Sequence, residues 1–267
     1  MPSSKFWIVT VMLVIGFSFL LNVARADDPV WNGGGKDPNH VYSKQELQAS
    51  AKKKALAKRY LKQRKKELAT NAMNSIKILN IPEADQLKEK NDFDHRNYCG
   101  PAATKIILYT WTLDLGVLPT MNEIGVDEEI DPGSGVFNHD VRDYLNTWLD
   151  ANVPSYNWDY VESTDSTKAD LKNYIIWDID ANRGLESALW TYDQATNDYM
   201  PGWASKDVRH INAIRGYVQN LNSTRVHYIE AGQSAQGYSG TFYQNVGLSR
   251  FFKHVNAHSG SNNSQVW

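Results

Sequence analysis

The chain of 267 residues contains one cysteine, Cys99, so no disulfide can form within it. It also lacks a strong net charge: the formal value is −2, and its aromatic part holds no arginine-rich stripe, which argues against a nucleic-acid partner. Beyond the first 26 residues no apolar run is long enough to span a membrane. What is present is enough to build a core, because 42% of the residues are hydrophobic and nine are tryptophan.

The first 26 residues have the pattern of an export signal. Lys5 supplies the positive start, residues 6–21 are apolar with few interruptions, and Ala24-Arg25-Ala26 places small residues at the spacing that signal peptidase reads. Cleavage after Ala26 predicts a secreted, extracellular protein. Without cleavage the same segment would anchor the protein, and this is the only contact with a membrane that the sequence predicts.

Residues 27–75 are predicted to form a linker and a basic helical arm. The linker is polar and contains Gly33-Gly34-Gly35, and a capping box of Ser43 and Glu46 then begins a helix that extends to about Thr70. Nine lysines and arginines lie between positions 52 and 66. Three interpretations stay open: a solvated arm, a pro-segment, or an arm that touches an anionic cell wall or membrane.

Residues 76–267 are predicted to form one α+β domain, because helical patterns come first and strand patterns follow. The aromatic residues concentrate in this part of the chain. Apolar spacing predicts helices at 100–115, 138–151 and 165–174, and strands at 211–217, 225–230 and 241–244.

Cys99 is the first candidate for chemistry. Exported proteins normally use cysteines in pairs, so an unpaired one is either reactive or a small buried apolar residue. Pro101 suits the first turn of a helix, which places Cys99 at a helix N-terminus. The free N–H groups and the dipole at such an end favour a thiolate, which is the nucleophilic form.

A cysteine nucleophile needs a base, and among seven histidines His210 is the best placed because it opens the strand 211–217. If the following turn is centred on Asn220, antiparallel pairing puts Glu230 opposite His210, where its carboxylate would orient the imidazole. Gln233 and Asn212 are the rival orienting groups. A slip of one residue in the pairing would turn Glu230 to the other face of the sheet.

These residues resemble a known family. The run Tyr98-Cys99-Gly100-Pro101-Ala102-Ala103-Thr104, a later histidine that begins a strand ending in Gly216-Tyr217, and an acid at the end of the next strand are similar to the bacteriocin-processing-peptidase-like cysteine peptidases. The similarity covers about residues 92–267. It implies a papain-like fold, in which an N-terminal helix carrying the cysteine packs on a C-terminal antiparallel sheet carrying the histidine. It also implies Cys99 as nucleophile, His210 as general base and Glu230 as the orienting acid.

The chain departs from this family at two positions. The orienting residue of the family is an Asp or Asn, where this chain has the longer acid Glu230. The second departure concerns the oxyanion donor. Papain-like sites usually have a glutamine a few residues before the cysteine, which donates a hydrogen bond to the oxyanion. The nearest upstream glutamine here is Gln86, thirteen positions away, and we expect it to be too far. His95 and Asn97 are the candidates to replace it, beside the backbone N–H of Cys99.

The sequence therefore predicts an exported cysteine peptidase that acts on a peptide or protein, with cell-wall peptides among the candidates. This chemistry needs no metal and no organic cofactor. His254 and His258 have the spacing of a metal pair without the usual glutamate, and residues 127–131 are expected to form a solvated acidic turn. Two alternatives stay open: a non-catalytic peptide- or glycan-binding module on a peptidase-like scaffold, and a cell-wall amidase or acyltransferase.

Overall fold

A computed structural model describes ten stretches of the chain, and all of them fall within one compact unit of residues 31–267. These stretches are 35–71, 75–89, 94–111, 118–131, 133–153, 157–204, 207–220, 222–235, 237–257 and 264–267. The predicted export signal lies outside them. No helix in the described stretches is both long enough and apolar enough to cross a membrane.

The described residues form six α-helices and nine strands. The helices are α1 (Lys44–Asn71), α2 (Cys99–Leu108), α3 (Met121–Asp127), α4 (Asn138–Asn152), α5 (Lys168–Asp180) and α6 (Leu248–Val255), and a 3₁₀ turn covers Asp94–Asn97. The strands are β1 (Ser75–Ile78), β2 (Glu162–Thr164), β3 (Leu185–Trp190), β4 (Tyr192–Asp193), β5 (Asp198–Tyr199), β6 (Arg209–Gln219), β7 (Thr224–Ile229), β8 (Tyr243–Gly247) and β9 (Ser264–Val266).

Seven of these strands form one sheet in the order β2-β9-β3-β6-β7-β8, and β1 pairs with β6 outside that path. Every pairing within it is antiparallel. The predicted α+β class is therefore confirmed. The simple order of helices followed by strands is not, because β1 precedes α2 and helices α5 and α6 lie between strands.

Two apolar clusters cover the two faces of the sheet. The first joins α2, α3 and α4 to Ile211 and Ala213 of β6, and the second joins α5 and α6 to Ile214 and Tyr217 of the same strand. Side chains of a strand point alternately to opposite faces, so β6 contributes to both layers. Cys99 belongs to the first cluster. Side chains near the start of β6 can therefore lie close to residues of both layers.

The β6–β7 hairpin contains a bulge that changes its register. Near the turn Tyr217 pairs with Val226, whereas Ile214 pairs with Tyr228, so Arg215 is an extra residue on β6. The turn itself closes through a hydrogen bond from the Asn220 N–H to the Ser223 carbonyl at 2.9 Å. The centre of the hairpin is therefore one to two residues later than the predicted Asn220.

The basic helix α1 packs against α5, so the interpretation of a solvated arm is wrong for this face. Ala57 is fully buried, and Lys54 forms an ion pair with Asp170 at 2.9 Å. The Lys53 ammonium donates to the Asp159 carbonyl at 2.8 Å and lies 4.5 Å from the centre of the Trp158 ring. Acidic residues of α5, which is distant in sequence, thus neutralise part of the positive charge of α1.

Asp180 at the end of α5 makes several of the polar contacts between α1 and α5. Its carboxylate accepts hydrogen bonds from Tyr60 at 2.7 Å and Tyr217 at 2.6 Å, and Arg64 lies 3.0 Å away as an ion pair. We expect Asp180→Ala to lower the free energy of unfolding by about 3 kcal/mol, because it leaves a mostly buried guanidinium without its carboxylate. Urea unfolding followed by circular dichroism measures the change.

Lys58→Ala is the matched control, since this exposed lysine approaches Asp170 only at 3.6 Å. It should change the free energy of unfolding by less than about 0.5 kcal/mol. Equal effects of the two substitutions would mean that the α1–α5 contact is not stabilised through Asp180.

Candidate functional site

Cys99 is the first residue of α2, as the position of Pro101 predicts. The N-cap residue Tyr98 makes no side-chain capping bond, so the first N–H groups of the helix surround the Cys99 position without a capping side chain. Gly100 lies so close to Val136 that a β-carbon there would come within 2.0 Å of its methyl group. The start of α2 is thus pressed against the loop that precedes α4.

The structure brings Cys99, His210 and Glu230 together. The His210 Nε2 atom hydrogen bonds with Glu230 Oε1, and the imidazole lies close enough to the Cys99 thiol for the two groups to interact. Because Nε2 is used by Glu230, the nitrogen left for the thiol is Nδ1. The imidazole therefore stands between the sulfur and the carboxylate.

The charge of His210 follows from these two neighbours. Burial alone lowers the pKa of His210, but the negative charge of Glu230 and the hydrogen bonds with Cys99 and Glu230 raise this pKa from 6.5 to about 10. The imidazolium form is therefore favoured across the neutral range. A positive ring beside the sulfur is the environment that favours a thiolate.

Glu230 is fully buried, and both of its oxygens have partners besides the imidazole. Oε1 also accepts from the Gly232 N–H at 3.0 Å, and Oε2 accepts from the Trp203 indole N–H at 3.2 Å. The Trp203 ring meets the His210 ring edge-on, with 5.3 Å between the centroids. These contacts fix the carboxylate and cover it from water.

Trp203 is a site residue that sequence reasoning did not assign, although the Pro201-Gly202-Trp203 loop belongs to the family resemblance. Gly202 has a φ of +85°, and a β-carbon there would come within 2.3 Å of the Tyr238 ring. Only glycine fits this turn without strain. The loop is further fixed by a hydrogen bond from the Ser239 N–H to the Gly202 carbonyl at 2.8 Å.

The prediction that Glu230 lies directly opposite His210 is wrong by two residues. Beyond the bulge Ala213 pairs with Ile229, and continuing this register puts Gly232 opposite His210. Glu230 is then a diagonal neighbour on the same face. If Arg215 were paired with Tyr228 instead of bulging out, the register near the turn would continue to Gln233 opposite His210, and Glu230 would point to the other face. The bulge thus brings the acid and the base to one side of the sheet.

Gln86 lies near the site, contrary to the expectation that it is too far. Its backbone N–H donates to the Ala231 carbonyl at 2.9 Å, and its side-chain amide donates to the Arg96 carbonyl at 2.6 Å. A β-carbon on Gly232 would lie 3.1 Å from Gln86 Oε1 and 3.0 Å from the Cε1 atom of His210. The loop from β1 to α2 folds back and brings this glutamine beside the histidine.

The other two oxyanion candidates, His95 and Asn97, lie in the 3₁₀ turn that precedes Cys99, and both are buried. The His95 ring stacks on Tyr98 with 4.1 Å between the centroids. Both residues are therefore close to Cys99 in the chain, while Gln86 reaches the site through tertiary structure.

Two ionisable residues that interact with the thiol were not predicted. The half-buried Arg209 directly precedes the histidine, and its guanidinium interacts electrostatically with Cys99. Glu186 of β3 is fully buried, and burial raises the pKa of its carboxyl well above the usual range, with the charges of Glu128 and Cys99 acting in the same direction. Glu186 belongs to no motif, because it reaches the site through the pairing of β3 with β6.

Cys99 and His210 are almost entirely covered, with 2% and 3% of their surfaces exposed. Burial of this degree is also typical of a cysteine that only packs in a core. What distinguishes Cys99 is its interaction with a histidine whose Nε2 atom hydrogen bonds with a buried carboxylate.

The remaining sequence candidates lie elsewhere or play other parts. Asn212 is fully buried and Gln233 is partly exposed, but the imidazole hydrogen bond goes to Glu230. His254 hydrogen bonds with the Trp190 carbonyl at 3.0 Å, and His258, which follows it at the spacing of a metal pair, lies outside the described residues.

The expectation of a solvated acidic turn at residues 127–131 is wrong for Glu128. This residue is fully buried and accepts a hydrogen bond from Thr104 at 2.6 Å. Burial raises the pKa of Glu128 to about 8, against the opposing effect of that hydrogen bond. The acid therefore points into the protein under α2 rather than into solvent.

Comparison with known proteins gives no relative: the chain matches no protein-family model, and no curated protein matches it significantly.

Proposed function

We propose that the protein is an exported cysteine peptidase of papain-like fold that cleaves peptide bonds through Cys99. The observation that carries the proposal is the position of the His210 imidazole, which interacts with the Cys99 thiol and hydrogen bonds with the buried Glu230 carboxylate. Nucleophile and base come from positions more than a hundred residues apart. A thiol, an adjacent base and a buried group that orients the base are what covalent amide hydrolysis needs.

In this mechanism the Cys99 thiolate attacks the carbonyl carbon of the substrate. The carbon–nitrogen bond then breaks as the His210 imidazolium gives its proton to the leaving amine, and a thioester remains on Cys99. His210 next takes a proton from water, the resulting hydroxide attacks the thioester, and the carboxylic acid product leaves. Glu230 holds the ring in one tautomer and stabilises its positive charge throughout.

Gln86 and the backbone N–H of Cys99 are the proposed donors to the oxyanion. One N–H of the Gln86 amide is used by the Arg96 carbonyl, which leaves the other for a substrate oxygen. We expect Gln86→Ala to lower kcat by about 100-fold and to change KM much less, since the bond forms only as the oxyanion develops. Steady-state kinetics on a fluorogenic peptide measure both constants.

Gln233→Ala is the control for the loss of a nearby amide and should leave kcat within about threefold of the wild type. His95→Ala and Asn97→Ala test the two donors that the sequence suggested. A large loss of kcat in either of these, with little loss in Gln86→Ala, would move the oxyanion site to the 3₁₀ turn.

The function itself is tested with the wild type and Cys99→Ala. A thiol-reactive peptide-like probe should label only the wild type, and the wild type alone should release peptides from casein. Release of stem peptides from peptidoglycan without casein cleavage would instead support a cell-wall amidase with the same three residues. Absence of labelling and of both activities would leave a non-catalytic scaffold.

One observation favours a binding function as the second candidate. A cavity of about 390 Å³ lies between α1 and α5 and is lined by Lys52, Lys53, Trp158 and Trp177, among others. The indole N–H groups of both tryptophans are buried and have no hydrogen-bond partner among the described residues. Aromatic faces beside cations and spare donors suit an anionic glycan or peptide. Quenching of tryptophan fluorescence by soluble peptidoglycan fragments, and its loss in Trp158→Ala, would support this function.

A further inference from the structure

One aspartate and two histidines, which come from two segments far apart in the sequence, lie together and away from the cysteine site. Asp37 and His40 belong to the segment before α1, and His139 lies in the first turn of α4. One ligand atom from each residue lies within 4.8 Å of those of the other two. The two imidazole rings stack, with 4.1 Å between the centroids and 20° between the planes.

The outer nitrogen of each histidine already faces a carboxylate. His40 Nε2 lies 3.1 Å from Glu46 Oε1, and His139 Nε2 lies 3.1 Å from Asp140 Oδ1. The inner nitrogen of His139, Nδ1, is buried and has no hydrogen-bond partner among the described residues. Histidines that bind metals almost always donate their other N–H to a carboxylate or carbonyl, which fixes the ring and makes the ligating nitrogen more basic.

The Glu46 carboxylate is itself held in place by other contacts. Glu46 completes the capping box of α1 by accepting from the Ser43 N–H at 2.6 Å, and Arg142 of α4 forms an ion pair with it at 2.6 Å. The orientation of His40 is therefore fixed by both helices. The Nδ1 atom of His139 is therefore available to a ligand.

We propose that Asp37, His40 and His139 bind a divalent transition metal ion of the Zn²⁺ class, with water as the fourth ligand. Two imidazoles and one carboxylate are a donor set that such ions prefer. Ligand atoms about 2.0–2.1 Å from a tetrahedral ion lie about 3.4 Å apart, so small side-chain rotations complete the site. Its chemistry is separate from the cysteine mechanism, which uses no metal.

The proposed ion would link two segments that are far apart in the sequence. Gly35 already exchanges backbone hydrogen bonds with the loop before α4, through the Val136 carbonyl at 3.2 Å and the Asn138 N–H at 2.9 Å. Val136 in turn packs on Gly100, the neighbour of Cys99. Metal binding would therefore join the segment before α1 to the start of α4. It would also stabilise the packing of Val136 on Gly100, next to Cys99. A metal that closes a long loop stabilises a fold by restricting the unfolded chain.

The test uses the purified protein with the substitution Cys99→Ala, so that the thiol cannot bind the probe ion. Equilibrium dialysis against Zn²⁺ should give one ion per chain, and Co²⁺ should give a visible spectrum typical of a four-coordinate site with nitrogen and oxygen ligands. Added Zn²⁺ should raise the melting temperature, and a chelator should reverse the rise. Each of His40→Ala and His139→Ala should weaken binding at least 100-fold.

Two further variants make the result decisive if an alanine variant folds poorly. Asp37→Asn keeps the shape of the side chain and should weaken binding at least tenfold without changing the melting temperature of the metal-free protein. His227→Ala removes a half-buried histidine of β7 and should leave binding unchanged. Absence of one-to-one binding, or binding that is equally strong in His40→Ala, His139→Ala and His227→Ala, would overturn the proposal.

Discussion

His210→Ala is expected to lower kcat/KM for peptide cleavage by about 10⁴-fold and to suppress labelling of Cys99 by a thiol-reactive probe at neutral pH. The reason is that the ring supplies the positive charge that favours the thiolate and the proton that the leaving amine needs. Both readouts depend on the same contact, that between the His210 imidazole and the Cys99 thiol. Kinetics on a fluorogenic peptide and mass spectrometry of the labelled protein measure them.

His227→Ala is the matched control for this substitution. His227 lies on the neighbouring strand β7, pairs with Gly216 and is half-buried, so its replacement removes an imidazole from the same sheet without touching the thiol. Its labelling and activity should stay close to the wild type. If the two variants are labelled at equal rates, His210 is not the base.

Glu230→Gln is expected to move the alkaline limit of activity. In the wild type His210 keeps its proton up to a pKa of about 10, so kcat/KM should fall only above that pH. The amide removes the negative charge that raises the pKa while the burial that lowers it remains. The pKa of His210 therefore falls, opposed only by the remaining contact with Cys99, and the alkaline limit of the variant should lie well below that of the wild type.

The pH dependence of kcat/KM between pH 5 and 11 measures this shift, with Glu83→Gln as control. Glu83 is a surface acid that accepts from Tyr243 at 2.8 Å, and its loss removes the same formal charge from the protein. Its alkaline limit should match that of the wild type. An alkaline limit in Glu230→Gln that stays near pH 10 would show that another group sets the charge of the histidine.

The residues of the site could be predicted because each is tied to a local pattern. Pro101 indicates the helix start that places Cys99, and His210 opens a strand whose apolar alternation is clear. Period-two alternation also limits which residues of the next strand can share a face with the histidine. Glu230 shares a face with His210 only if the residue that pairs with His210 has an even number. The choice of Glu230 therefore needed only this parity to be correct.

The rest could not be predicted because it depends on contacts between distant segments. Strand β3 is central, and its first five residues are all buried, so it shows no alternation to distinguish it from a helix. The bulge at Arg215 changes the register without a local sequence signal. Gln86 reaches the histidine only because a loop folds back, and the charge run of α1 packs because Asp170 and Asp180 lie opposite it.

The single extra residue in β6 also sets a rule for how this hairpin could vary in length. Deleting Arg215 would straighten the strand and leave the flanking pairs Ile214–Tyr228 and Gly216–His227 in place, so Glu230 would stay on the side of the imidazole. One residue inserted between His210 and Ile214 would instead turn the imidazole to the opposite side of the sheet, away from the acid. Related chains that retain the chemistry should therefore gain or lose a residue at the bulge and not in the strand before it, and grafting the hairpin onto another scaffold would have to preserve the spacing from His210 to Ile214.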